Sequence, residues 1–216
     1  MATYTGYDWS EIRTGSTYGD LFYMRGGNDT VHGFGGSDTI HGESDADRLY
    51  GGDASDVLHG GDGNDTLLGE AAGDDVIGGS GDDLLVGGQG ADGNSGGAGR
   101  DLFYFGGASD ANGDWIHDFH QWEGDRIDLH NIDAKESPWY SPFDGGTQRF
   151  SWRGDTGGAA LGKGELGYVH SDGTTYVYGN TDGDSAAEFT IGLTGTLYLT
   201  SADFIFSSDT GAGPGC

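Results

Sequence analysis

The chain has 216 residues, with 36 Asp and Glu against 9 Lys and Arg, for a net charge of −27. So acidic a surface repels nucleic acid and anionic membranes, and no run of about 18 apolar residues offers a membrane span. Glycine supplies 46 residues, about three times its usual share, while 10 Phe, 11 Tyr and 5 Trp argue against a wholly disordered chain.

Residues 1–14 read as a lead-in without an apolar core, so no cleavable signal peptide is expected. From Gly15 a nine-residue register runs to Tyr104, ten repeats in all. The sixth position is Asp20, Asp29, Asp38, Asp47, Asp56, Asp65, Asp74, Asp83, Asp92 and Asp101, an aspartate every time. The first position is glycine except at Met24. The eighth is apolar in every repeat but one: Phe22, Val31, Ile40, Leu49, Leu58, Leu67, Val76, Leu85 and Phe103, with Asn94 the exception. A Gly/Asp-rich linker of accidental periodicity does not lock three positions at once.

Six glycine-rich residues can turn sharply through backbone angles closed to other residues. The remaining three suit a very short strand whose middle side chain points inward. Two repeats then make one coil of turn, strand, turn, strand, and coils stack about 4.8 Å apart. Aspartates eighteen positions apart fall into a column. At about 5 Å and an effective dielectric near 20, neighbours in it repel by roughly 3 kcal/mol. A cation between successive loops reverses that sign.

The ligands on offer are carboxylate and turn carbonyl oxygens, all hard, and no Cys/His cluster has zinc spacing. Several oxygens in a flexible loop suit Ca²⁺ better than Mg²⁺, which demands a small octahedron and keeps its water. Residues 15–104 hold 15 Asp and 2 Glu against 3 Arg, a net of −14, and the eight loop pairs would take at most eight Ca²⁺.

The stretches GGDGNDTLL (60–68), GGSGDDLLV (78–86), GGQGADGNS (87–95) and GGAGRDLFY (96–104) resemble the GGxGxDxUx nonapeptide of RTX (repeats-in-toxin) proteins. The resemblance implies a parallel β-roll in which each ion is held by a sixth-position aspartate and by backbone carbonyls of two loops. Gly61, Gly63, Gly79, Gly81, Gly88, Gly90, Gly97 and Gly99 are the glycines placed to supply them. GSTYGDLFY, MRGGNDTVH and GESDADRLY lack key glycines, so fewer than eight ions are expected.

After residue 105 the beat stops. DLFYFGGASDANGDWIHDFHQWEGDRIDLHNIDA (101–134), GELGYVHSDGTTYVYGNTDGDSAAEFTIGLTG (164–195) and LTSADFIF (199–206) resemble the C-terminal domain of serralysin-type metalloproteases (peptidase M10). Residues 105–206 are expected to form a β-rich cap on the open end of the roll, followed by a flexible tail, 207–216. PWYSPF (138–143) reads as a loop. The outward Leu84, Val86, Leu102 and Tyr104 are expected to be buried under the cap. Asn180, Asp182, Asp184 and Glu188 have the spacing of a further calcium loop. Cys216, the sole cysteine, cannot make an internal disulfide.

No catalytic constellation emerges. The zinc-protease signature H-E-x-x-H is absent. Ser95 in GNSGG (93–97) lies inside the repeat register without a candidate base in it, and His117 and His120 fall where the family has a strand. His41 and His59 share an outward position one coil apart and should stack. The expectation is a non-enzymatic, secreted calcium-binding module whose folding is switched by Ca²⁺. The resemblance further implies an extracellular location, a Gram-negative bacterium and export by a type I exporter. Met1 and the lack of a truncated domain over 1–14 lean toward a standalone protein. The alternatives are the non-catalytic module of a secreted hydrolase or epimerase, and an adhesion protein that binds extracellular polysaccharide through the Tyr23/His41/His59 row.

Overall fold

In the computed structural model, which describes residues 1–132, 150–181 and 186–206, each nonapeptide contributes one strand with its eighth residue pointing inward. The chain opens with β1 (Thr3–Thr5) and β2 (Ile12–Thr14). The repeats then supply β3 (Leu21–Tyr23), β4 (Thr30–Gly35), β5 (Thr39–Ser44), β6 (Arg48–Asp53) and β7 (Val57–Asp62). They continue with β8 (Thr66–Ala71), β9 (Asp75–Ser80), β10 (Leu84–Gln89), β11 (Gly93–Ala98) and β12 (Leu102–Tyr104). Odd-numbered strands pair in parallel in one sheet and even-numbered strands in the other. The register sets Phe22 beside Ile40 and Ile40 beside Leu58, so two repeats make one coil. The fold is a parallel β-roll. Most repeat strands are six residues long rather than three, because the start of the next turn stays in the ladder, as in Glu43 beside Gly61 and Ser44 beside Asp62.

The inward residues are sealed: Phe22, Val31, Ile40, Leu49, Leu58, Leu67 and Val76 are fully buried in one continuous core. Asn94 occupies the same row and is buried too. Its Nδ2 donates to the Trp115 carbonyl at 3.4 Å, and its Oδ1 has no partner.

The ladders outrun the nonapeptide register at both ends. β1 and β2 pair with β3 and β4. At the other end β13 (Trp115–Ile116) and β14 (Arg126–Asp128) pair in parallel with β11 and β12. The odd sheet then runs on through β15 (Ser151–Asp155), β16 (Glu165–Ser171), β17 (Thr174–Asn180) and β18 (Phe189–Thr194). Of these β17 runs antiparallel to both β16 and β18, and β18 joins β13 in parallel. A short 3-10 turn, Ser201–Asp203, leads into β19 (Phe204–Ile205), which ends the even sheet against β14. The C-terminal strands thus prolong the roll in line instead of folding back over its outer face. Leu84, Val86, Leu102 and Tyr104 consequently remain half-buried, not covered as the sequence suggests. The PWYSPF loop, the 207–216 tail and Cys216 lie outside the described residues.

Candidate metal centre

Because repeats alternate between sheets, their turns alternate between the two sides of the roll. Loops 24–29, 42–47, 60–65, 78–83 and 96–101 stack on one side, the others on the opposite side. Each sixth-position aspartate is buried and turned inward along its column. On one side the backbone N–H groups of Asp29, Asp47, Asp65 and Asp83 donate to Oδ1 of Asp47, Asp65, Asp83 and Asp101 at 2.7–3.0 Å. On the other side Asp20, Asp38, Asp56 and Asp74 donate to Asp38, Asp56, Asp74 and Asp92 at 2.6–2.8 Å.

That bond occupies one oxygen and strands the other. Oδ2 of Asp29, Asp38, Asp47, Asp56, Asp65, Asp74, Asp83, Asp92 and Asp101 is buried without a partner. Burial is the main cause that pushes Asp47, Asp74 and Asp83 up to about 7, and Asp38, Asp56 and Asp101 up to about 6. Asp29, Asp65 and Asp92 are raised for the same reason. A row of buried, unsatisfied carboxylate oxygens is costly unless charge compensates it. Among the described residues no group of three or more His, Cys, Asp or Glu side chains is arranged for a metal. An ion in these columns would draw on single carboxylates and backbone oxygens, a set that suits Ca²⁺.

The glycines keep those oxygens close. A Cβ on first-position Gly60 would collide with Oδ2 of Asp65 and stand 2.5 Å from the Gly78 carbonyl oxygen, so the two oxygens converge there. At the second and fourth positions, a Cβ on Gly79 or Gly97 would strike the carbonyl of Gly61 or Gly79. One on Gly81 or Gly99 would strike that of Gly63 or Gly81. Gly88 and Gly90 stand in the same relation to Glu70 and Ala72 on the opposite side.

Where glycine is missing, the turn is kept at a cost. Fourth-position Gly63, Gly81, Gly90 and Gly99 have φ of 144°, 132°, 153° and 130°, whereas Asp45, Ala54 and Ala72 are drawn back to 72°, 77° and 84°. A side chain in the left-handed region costs roughly 1–2 kcal/mol. Ala72→Gly is therefore expected to stabilise the folded roll by about 1 kcal/mol and lower the calcium midpoint of folding in a titration followed by circular dichroism. A higher midpoint would show that loop 69–74 gains nothing from glycine geometry.

Two aspartates outside the register complete the columns. Asp114 and Asp125 accept the N–H groups of Asp92 and Asp101 at 2.9 Å, across sequence separations of 22 and 24 in place of 18. The signal for them is GDWI (113–116) and GDRI (124–127), which keep the Gly-Asp-x-apolar half of the repeat after insertions. Asp114 is fully buried, its Oδ2 has no partner, and burial pushes it up to about 8. Asp125 differs, because its Oδ2 accepts the His120 N–H at 2.7 Å. Asp20, at the other end, is also engaged at both oxygens. Oδ1 accepts the Ala2 N–H at 2.5 Å, the main cause that lowers its pKa, and Oδ2 accepts the N–H and hydroxyl of Ser16 at 2.9 and 2.8 Å. Glu11 precedes Asp29 in the opposite column, donating its N–H to Asp29 Oδ1 and pairing with Arg13 at 2.6 Å.

The other candidates separate by geometry. Asn180 is buried with its Nδ2 donating to Leu161, and Glu188 accepts the Thr181 N–H at 2.5 Å. Asp182 and Asp184 lie outside the described residues. Ser95 makes no side-chain hydrogen bond to any described residue, and Nδ1 of His117 faces the Thr194 hydroxyl at 3.5 Å. His120 is held between Glu123 and the Gly97 carbonyl at 3.0 and 3.2 Å. Tyr23, His41 and His59 do stack, at 5.0 and 4.6 Å with interplanar angles of 2° and 4°. Both faces of His41 are covered within that row, and one face each of Tyr23 and His59.

Residues 22–206 match the family model described as Peptidase M10 serralysin C terminal. The chain is similar to the solution structure of the AlgE6R3 subunit of the Azotobacter vinelandii mannuronan C5-epimerase, at 28% identity and a TM-score of 0.42, over 80% of this chain and 84% of that one. It is also similar to the AlgE6R2 subunit of that epimerase, at 20% identity and a TM-score of 0.35, over 96% and 94% of the two chains. No curated protein matches it.

Proposed function

We infer that this chain, which belongs to the peptidase M10 serralysin C-terminal family, is a secreted calcium-binding module that folds when Ca²⁺ becomes available and supports type I secretion. One observation carries the calcium reading: the buried Oδ2 atoms left without partners along both columns. The Oδ2 atoms of Asp29 through Asp101 and of Asp114 would hold the ions, with carbonyls of Gly61, Gly63, Gly79, Gly81, Gly97 and Gly99 on one side and of Gly88 and Gly90 on the other. Calcium supplies the positive charge that these oxygens lack. Loops with left-handed Arg25, Glu43, Asp45 and Glu70 favour several ions but fewer than eight.

Export follows from the same electrostatics. At the low calcium level of a cytosol, the columns repel and the repeats stay unfolded and threadable. Outside, millimolar calcium folds them and hinders their return. No helix among the described residues is long and apolar enough to cross a membrane. A second reading is that this module serves an enzyme whose catalytic part lies outside the sequence, favoured by the description of the family as the C-terminal part of a peptidase.

The test uses a co-expressed type I exporter. The full chain should reach the medium and there carry several calcium ions. Deleting residues 160–216 should abolish export, while removing only 207–216 should not. Unimpaired export of the longer deletion, or a secreted chain without calcium, would overturn the reading.

A further inference from the structure

The outer face of the even sheet carries an apolar strip, with half-buried Leu84 beside Leu102 and Leu102 beside Arg126 in adjacent strands. At Leu102 the strip runs into a cleft of about 760 Å³ between the last coils and the final 3-10 turn, where Ala202 and Ile205 add apolar surface. That volume lies in the range of small-molecule sites. Two arginines, Arg100 and Arg126, line it. Arg100 is fixed, with its Nη2 on Asp82 Oδ2 at 2.8 Å and its stem lying over Gly124. Arg126 is exposed and makes no ion pair or hydrogen bond with any described residue.

None of the carboxylates in the walls pairs with it. Asp101 and Asp125 are 1% and 2% exposed and belong to the aspartate columns. Asp203 Oδ2 accepts Gln121 Nε2 at 2.9 Å and the Thr200 N–H at 2.6 Å. Arg126 is thus the cationic residue of the lining without an ion-pair partner among the described residues, in a chain whose net charge is −27. We propose that this cleft binds a small amphipathic carboxylate, its apolar body on Leu102, Ala202 and Ile205 and its carboxylate on Arg126. Guanidinium and carboxylate match in charge and in planar two-point geometry.

The probes are phenylbutyrate and phenylbutanol, which share an apolar body and differ in charge. Each is titrated into the calcium-loaded full chain and followed by backbone amide NMR shifts. Phenylbutyrate should saturate one site, with shifts centred on Leu102, Arg126 and Ile205, and phenylbutanol should bind about tenfold more weakly, the equivalent of roughly 1.4 kcal/mol. Arg126→Gln should bring the acid down to the affinity of the alcohol. Arg48→Gln, on the same outer face, should leave the difference intact. Equal affinities for the two probes, no saturable binding, shifts centred elsewhere, or an Arg126→Gln variant that binds the acid unchanged would each overturn the proposal.

Discussion

Asp83→Asn should raise the calcium concentration needed to fold the roll by on the order of tenfold, or about 1.4 kcal/mol, and Asp65→Asn by a similar amount. Asp29→Asn should cost clearly less. Loops 60–65, 78–83 and 96–101 are consecutive on one side of the roll, and each has glycine at its second and fourth positions. Asp83 stands between two such neighbours. Asp29 belongs to a loop with Met24 and Arg25 in its first two positions, and the next loop on its side carries left-handed Glu43 and Asp45. Asparagine keeps the size of the side chain and its Oδ1, which can still accept the Asp65 N–H. What it removes is the charge on the stranded oxygen. Calcium titrations of the three variants by circular dichroism give the order, and a midpoint raised most by Asp29→Asn would contradict it.

Acid should partly replace calcium. Asp47, Asp74 and Asp83 are pushed up to about 7 in the folded roll, and Asp114 to about 8, against an ordinary value of 3.8. A carboxylate raised on folding binds more protons in the folded state than in the unfolded one at intermediate pH. Its contribution to stability is therefore complete below about pH 4 and lost as pH rises through about 6 to 8. Each pKa unit corresponds to roughly 1.4 kcal/mol, so several such groups together act strongly. In calcium-free buffer, β-structure should increase as pH falls from 7 toward 5, and the gap between calcium-free and calcium-loaded spectra should narrow. A metal-free chain that stayed unfolded or lost structure over that interval would show that the charge on these carboxylates is not what holds it open.

The roll itself was legible because one physical requirement acts at every repeat. Phe22, Ile40, Leu58 and Val76 occur at the position that geometry turns inward, and each is fully buried. Even Asn94 obeys the position against its chemistry. Asp114 and Asp125 escaped because insertions of different length precede them, which removes the period while leaving the local GDWI and GDRI patterns. The closure of Asp20 by Ser16 and of Asp125 by His120 depends on how a particular turn meets its aspartate, and no spacing rule encodes that. The sequence suggests that the strip at Leu84 and Leu102 is covered because the apolar end of that outer row lies next to the C-terminal segment. The C-terminal strands instead extend the sheets along the axis.

Ten inward side chains cannot by themselves offset the ordering of the 90 residues from 15 to 104 at roughly 1–2 kcal/mol each. On the proposed reading, ion binding supplies the difference, as it does in metal-coupled folds. The most direct measurement is far-ultraviolet circular dichroism of the full chain at neutral pH, in chelator and then in millimolar calcium. Calcium-dependent folding predicts a disordered repeat region in chelator that converts to β-structure when calcium is added. Identical spectra in the two conditions would contradict it.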